Sequence, residues 1–320
     1  MGAVRRTWKR EAVMSEQKHR RSTDVGYDDD EQLASSMPTV GRRDLDRREF
    51  VRFTPLERGL HASMIVSFLS LAITGLTLKF SYTPWARTLS RLLGGFEIAG
   101  FIHRTAAVFM FSAFVTHLLA LRNLKKREYG SWRALIFGPN TMLPTRKDVS
   151  DFLGTMKWFV GMGPRPQYGR WTYWEKFDYF AVFWGIFIIG CTGLTLWFPI
   201  FFTRFLPGWF INVATIIHSD EALLATGFIF TVHFFNTHLR PEKFPMDVTV
   251  FTGHMRLAEL KRDKPLEYET LAMSGELSKY LADPHPSIVV KMIRAFAWGA
   301  LSVGFGIVIW IIYAMIFVYR

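Results

Sequence analysis

Residues Phe101 to Leu121 read FIHRTAAVFMFSAFVTHLLAL. The run is about as long as an apolar helix needs to be to cross a bilayer. It carries a histidine near each end, His103 and His117, 14 residues apart. In a slightly underwound helix that is four turns, so both rings leave one face, roughly 21 Å apart along the axis. A second apolar run, His218 to His238, places His218 and His233 15 residues apart. On an ideal helix that spacing rotates by about +60°, so tilt or distortion is needed to bring the two onto one face. His238 falls about 140° around from His233 on the same wheel, toward a different neighbour or the membrane interface.

The rest of the chain agrees with a membrane setting. Half of its 320 residues are hydrophobic, and mean hydropathy is +0.14 in spite of a net charge of +12. Five apolar runs are long enough to span: about 61–81, 101–121, 178–200, 218–238 and 294–318. The expected fold class is therefore an all-α membrane protein, a four-helix transmembrane bundle with a fifth carboxy-terminal transmembrane helix. The short alternating segments of a transmembrane barrel are absent. Lys and Arg crowd 1–58, 122–176 and 239–293, whereas 82–100 and 201–217 hold only Arg87, Arg91 and Arg204. That is the positive-inside pattern, with the amino terminus cytoplasmic and the carboxy terminus outside. The basic excess thus reports topology, and no nucleic-acid partner is expected. No signal peptide is visible, because the first apolar run starts near residue 60.

These runs divide the chain. Residues 1–48, with VGYDDDEQ and GRRDLDRREF, read as a disordered basic cytoplasmic tail. Residues 49–245 form the four-helix bundle, 246–293 a cytoplasmic loop, and 294–320 the fifth helix. His254 and His285 in that loop read as surface residues. The third span has Gly185, Gly190 and Gly193 but no histidine, so it reads as a wall of close helix packing rather than a ligand donor. Cys191 stands alone in it and reads as a small core residue; with one cysteine there is no disulfide framework and no covalent c-type haem site. Transporter-like repeats and broken helices are not evident.

Ionisable side chains inside spans are costly and mark function. His61, His103, His117, His218, His233 and His238 all lie in or at the ends of spans. They sort by depth, His103 and His218 outside, the other four inside. Zinc wants a tetrahedral cluster at one depth, and a diiron site wants carboxylates inside the bundle. A bis-imidazole haem needs only one histidine from each of two facing helices at equal depth. The chain is therefore expected to hold two b-type haems, with a third a further option. His103 and His218 have no competitor as the outer pair. The inner haem has His233 and a choice between His61 and His117, and spacing alone favours His117. Arg104, beside His103, is placed to meet a haem propionate or to snorkel to headgroups.

The strings ERGLHASMIVSFLSLAITGL, FIHR and the histidine-bearing fourth span resemble the membrane cytochrome b subunits of formate dehydrogenases and nickel–iron hydrogenases. RWTYWEKFDYFAVFWG, TGLTLWFP and IIHSDEALLATGFIFTVHFFNTHLRPEKFPMD resemble the variant of that family found beside multihaem c-type cytochromes. The resemblance covers roughly residues 50–260 in helix order and histidine positions. It implies an inner haem on His61 and His233, an outer haem on His103 and His218, and a quinone site beside the inner haem. His117, His238 and the fifth span depart from the pattern; the two histidines are open to a third haem, a quinone pocket or plain hydrogen bonding. Arg240 and Asp247, with His238, are the quinone candidates on the inner side. Asp220 and Glu221 are proton-carrying candidates on the outer side, with helix capping an equal reading for Asp220.

The function expected is that of a cytochrome b subunit of a quinone-linked oxidoreductase in a bacterial inner membrane. It would carry electrons between the quinone pool and an outer-side multihaem c-type cytochrome or iron–sulfur subunit. A transmembrane ferric or oxygen reductase is an alternative, but no Gly-rich phosphate loop for a nicotinamide domain appears. A non-redox transporter with polar histidines is another.

Overall fold

The computed structural model describes residues 47–244 and 246–317; the expected tail, residues 1–48, lies outside these apart from its last two residues, as do 318–320. From Glu49 onward the chain forms one unit. Its elements in order are β1 (Glu49–Val51), α1 (Pro55–Lys79), α2 (Pro84–Leu93), α3 (Phe96–Leu124), α4 (Trp132–Phe137), α5 (Arg146–Phe159), α6 (Tyr173–Trp197), α7 (Pro199–Phe202) and α8 (Phe210–Phe228). There follow α9 (Thr249–Thr252), β2 (His254–Arg256), α10 (Leu257–Asp263), α11 (Pro265–Met273), β3 (Leu281–Ala282) and α12 (Ser287–Phe317). Five helices are long and apolar enough to cross a membrane. The protein is an all-α multi-pass membrane protein, as its apolar runs indicate.

The helices extend past those runs at their amino-terminal ends. α1 begins at Pro55, α3 at Phe96, α6 at Tyr173, α8 at Phe210 and α12 at Ser287. At α1 and α6 hydropathy misses the first turn because it carries polar capping groups. Thr54 and Glu57 form a capping box at α1, with the Thr54 N–H donating to Glu57 Oε2 at 2.7 Å. Thr172 and Glu175 repeat it at α6 at the same distance. Each box satisfies amide donors that have no intrahelical partner. Asp220 accordingly lies inside α8 and caps nothing; its carboxylate meets Lys79 of α1 at 2.8 Å.

α1 packs along α3 and α6 along α8. Large apolar side chains face outward, with Phe101, Phe109, Phe187 and Ile309 each more than 60 % exposed. Such a surface is stable only in hydrocarbon, where the helices satisfy their own backbone groups. Cys191 is exposed on α6 and is not a core residue. α12 is integral to the fold. Leu301, Ile307 and Ile311 join Ala72, Leu76, Phe230 and Phe234 in one buried cluster. Gly304 lets the Phe230 and Phe234 rings lie directly on the α12 backbone, and Trp310 stacks on Trp85 at 4.9 Å.

The segments at the lysine- and arginine-rich end are ordered and close over it. β1 is the centre of an antiparallel sheet in the order β2-β1-β3, with Phe50, fully buried, opposite Met255 and Leu281. The 246–293 loop therefore contains two strands and three helices. Its histidines are not free on the surface. His254 and His285 stack with centroids 4.1 Å apart, and His254 Nδ1 pairs with Glu49 at 3.2 Å.

Buried charge pins this end together. Arg52, 4 % exposed, donates to Glu267 at 3.1 Å, Glu175 at 3.2 Å and the Arg170 carbonyl at 2.8 Å. Arg170 reaches the other oxygen of Glu267 at 3.0 Å, and Lys264 also pairs with Glu175. Burial pushes Lys264 down to about 8, against the pull of Glu175. Nearby, Lys243 gathers Asp247 at 2.9 Å, Asp263 at 3.2 Å and Glu259.

Arg52→Ala leaves Glu267 and Glu175 without their shared cation. Loss of one partner from a buried ion pair costs about 3–5 kcal/mol, so thermal unfolding in detergent should begin markedly lower, with the sheet order lost first. The stacked histidines set a pH dependence. Burial, then the His285 ring, lowers His254 from its ordinary value of 6.5, outweighing Glu49; the neighbouring Arg58 acts in the same direction as His285. A depressed imidazole binds its proton more weakly in the folded chain than in the unfolded one. The stability it contributes is complete above 6.5 and is lost as pH falls below that value. His254→Gln should flatten the acid limb of the unfolding midpoint plotted against pH.

Candidate functional site

The bundle holds its imidazoles at two ends. At the far end from the basic segments, His103 of α3 and His218 of α8 face each other, ring centroids 6.2 Å apart and planes at 72°. Each ring leans on a neighbouring helix through Nδ1. His103 Nδ1 is 2.9 Å from Thr74 Oγ1 of α1, whose hydroxyl itself donates to the Ser70 carbonyl at 2.6 Å. His218 Nδ1 is 2.9 Å from the Ile189 carbonyl of α6 and 3.4 Å from Thr192 Oγ1.

The chemistry of these partners sets the tautomer. A carbonyl oxygen only accepts, so Nδ1 carries the proton and Nε2 keeps its lone pair. Imidazoles that ligate a metal are held this way, the remote nitrogen donating to an oxygen. The helices are notched to admit the rings. A Cβ on Gly193 would stand 2.9 Å from His218 Cε1, and one on Gly75 would stand 3.3 Å from His103 Cε1. The spacing fits as well. A metal held in line between two imidazoles, with bonds of about 2 Å to each nitrogen, puts the ring centroids roughly 6 Å apart.

At the basic end stand His61 of α1, its ring edge-on to Phe251, and His233 and His238 in the turns that follow α8. His233 Nδ1 is 2.9 Å from Asp178 Oδ2 of α6, which fixes the same tautomer with a charged acceptor. His61 Nδ1, His238 Nδ1 and Asp178 Oδ1 are buried with no hydrogen-bond partner. Unpaired polar atoms in a protein interior are rare and ask for a ligand or a functional reason.

The backbone brings these groups together by a route that an ideal wheel does not show. Past Phe228 the fourth spanning helix continues through two π-helical turns, Ile229–His233 and Phe235–Leu239. A π turn takes in an extra residue, and this absorbs the fifteenth residue between His218 and His233. The same widening turns His238 inward. It is 8 % exposed, with its ring edge-on to Phe234.

His117 is elsewhere. Its Nε2 is 2.9 Å from the Tyr179 hydroxyl of α6, and its ring lies edge-on to Tyr179 and Phe183. Spacing on one helix favours His117 as the inner partner of His233; in the fold the His117 Nε2 is taken by Tyr179.

The remaining candidates are spread around the ends. The Arg104 guanidinium lies over the Trp197 ring at 5.9 Å, and that of Arg240 lies over Trp174 at 4.8 Å with a buried, unpartnered Nε. Burial pushes the Asp247 carboxyl up, but Lys243 and the Thr249 amide hold it below the ordinary carboxylate value. Glu221, half-buried, follows Asp220 on α8.

α6 is more than a wall. It supplies Asp178, Tyr179, the Ile189 carbonyl and Thr192, each touching a histidine of another helix. Sequence reasoning passed over them; the one visible signal was a carboxylate, Asp178, inside the apolar string FDYF. Among the described residues no three His, Cys, Asp or Glu side chains form a group that could hold a metal ion, so any metal here would need a ligand frame beyond the protein.

No known protein family matches the chain, and no curated protein does.

Gly193→Leu places a side chain where the His218 ring stands. The strain of overpacking is about 1–3 kcal/mol, so the variant should unfold at lower temperature. Gly208→Ala, which meets no atom within 4 Å, should stay within about 0.5 kcal/mol of the parent.

Proposed function

We propose that the chain is a cytochrome b subunit of a membrane oxidoreductase, of the formate dehydrogenase and nickel–iron hydrogenase cytochrome b type. The observation that carries this reading is the facing pair His103 and His218. The Nδ1 of His103 is taken up by Thr74 and that of His218 by the Ile189 carbonyl and Thr192, Nε2 is left for a ligand, and the ring separation suits one metal between them.

His103 and His218 would hold a haem near the outer surface, and His61 and His233 one near the inner surface. Bis-histidine haem supplies one-electron chemistry at each position. The protein's own work is to orient the rings. Thr74, the Ile189 carbonyl and Asp178 hold Nδ1 of His103, His218 and His233 respectively, and so fix each ring and turn its Nε2 away from that partner. Two glycines give the outer rings their room. With His117 tied to Tyr179, two haems per chain is the reading, not three.

A quinone is the substrate on the inner side, where His238 and Arg240 carry unpartnered nitrogens beside His233. Asp247 is the weaker candidate there, since Lys243 and Thr249 already occupy it. Asp220, paired with Lys79, and Glu221 stand at the outer end with Arg104. The partner on that side is a multihaem c-type cytochrome or an iron–sulfur subunit. By its charge pattern the protein sits in a bacterial inner membrane with the basic end in the cytoplasm.

Purified protein should show a reduced pyridine haemochrome of b type at two haems per chain. His103→Ala or His218→Ala should each remove the same haem, and His61→Ala or His233→Ala the other. Absence of b-type absorbance from the purified chain would sink the reading.

A further inference from the structure

The two helix pairs of the bundle are built on one pattern. Arg52, Thr54 and Glu57 at the start of α1 are matched by Arg170, Thr172 and Glu175 at the start of α6, each 118 residues further on. The same offset carries the string TGLTL at 74–78 onto TGLTL at 192–196, and Phe80 onto Phe198. The contacts repeat with the letters. Both boxes cap a spanning helix in the same way, and both arginines hold Glu267, one on each oxygen. Thr74 and Gly75 receive His103, while Thr192 and Gly193 receive His218.

A repeat of this kind relates the halves by a two-fold axis along the membrane normal. His103 and His218 are each other's counterparts and meet, so the outer pair lies on the axis. The inner histidines do not. The counterpart of His61 is Tyr179, and the counterpart of His117, once the extra residue of the π turn is allowed for, is His233. The axis therefore carries the pair His61–His233 onto the pair Tyr179–His117. The second pair is in contact across α6 and α3 at 2.9 Å; the first has its members at the same end of the bundle, His61 on α1 and His233 in the π turn that follows α8.

We infer that the bundle is a duplicated helix pair with two equivalent inner ligand positions, and that Tyr179 decides which one is used. Its phenol stands where an imidazole stands in the other half. Hydrogen-bonded directly to His117 Nε2, it occupies the nitrogen that would otherwise bind a metal. His61–His233 is left as the open copy, with its Nδ1 atoms either held by Asp178 or unpartnered. Tyr179 is thus a specificity-determining residue for cofactor placement, and the repeat explains why His117 looks like a ligand without being in the ligand set. This inference rests on the haem reading above.

The test exchanges the two copies. Wild-type protein should carry two haems and His61→Ala one, the retained outer haem reporting an intact fold. His61→Ala/Tyr179→His should regain the second, with a bis-imidazole signature in low-temperature electron paramagnetic resonance. Adding His117→Ala should remove it again. The same recovery is expected when Tyr179→His is combined with His233→Ala, a second background in case the first fails to fold. If neither background regains a haem while both keep the outer one, the inference is overturned. Loss of one haem from His117→Ala alone would overturn it too, since the second copy would then already be in use. A wild-type chain without haem would instead overturn the functional reading, and this inference with it.

Discussion

An imidazole placed between membrane helices has two nitrogens to satisfy and no water with which to do it. Three of the six spanning histidines solve the problem in one way. His103, His218 and His233 each have Nδ1 against an oxygen on an adjacent helix: Thr74, Ile189 with Thr192, and Asp178. That bond holds the ring, sets its tautomer, and leaves Nε2 as a directed lone pair. The glycine notches, the choice of threonine and the placement of α6 all follow from the need to bring an acceptor to Nδ1. The one spanning histidine bonded through Nε2, His117, is also the one whose partner is a tyrosine rather than a carbonyl or carboxylate.

The basic end serves the same geometry from outside the apolar region. α1 and α6 start beside each other because Arg52 and Arg170 share the Glu267 carboxylate, and Arg52 also reaches Glu175. Buried charges of this kind contribute little net stability but tolerate few alternative arrangements. Each capping box thereby has a set height and rotation, and a histidine seven residues into α1, or a carboxylate six residues into α6, arrives at a defined depth. α12 closes the side of the bundle where α8 is distorted, its Gly304 admitting Phe230 and Phe234. A π-helical segment satisfies its backbone less tightly than an α-helix, and packing against a neighbour is what holds it in register.

Much of this was legible in the chain. Five apolar runs, the asymmetry of lysine and arginine, and histidines at two depths are local properties, and they led to the membrane fold and to the outer pair without any knowledge of contacts. Helix starts were less legible because capping residues are polar and lie outside a hydropathy window. The inner partner of His233 stayed open between His61 and His117 for a geometric reason. A wheel of constant pitch turns His238 away from His233, and the two π turns beyond Phe228 change that rotation; α3 has no such irregularity, and what sets His117 apart is its Tyr179 partner on α6. The 118-residue repeat is written in Arg52, Thr54, Glu57 and TGLTL. It was obscured because His61 faces a tyrosine in the alignment, and because the second helices differ by one residue between histidines.

The sequence alone determined that this is an all-α membrane protein whose spans carry six histidines sorted toward two surfaces, since length, hydropathy and charge act residue by residue. Only the tertiary structure decided that His103 meets His218, that α6 supplies acceptors to the histidines of other helices, and that His117 is bonded to Tyr179. Those outcomes depend on helix rotation and on distances between helices. Rotation is set by π turns and by buried ion pairs whose partners lie far apart along the chain, and no periodicity within a single span contains that information.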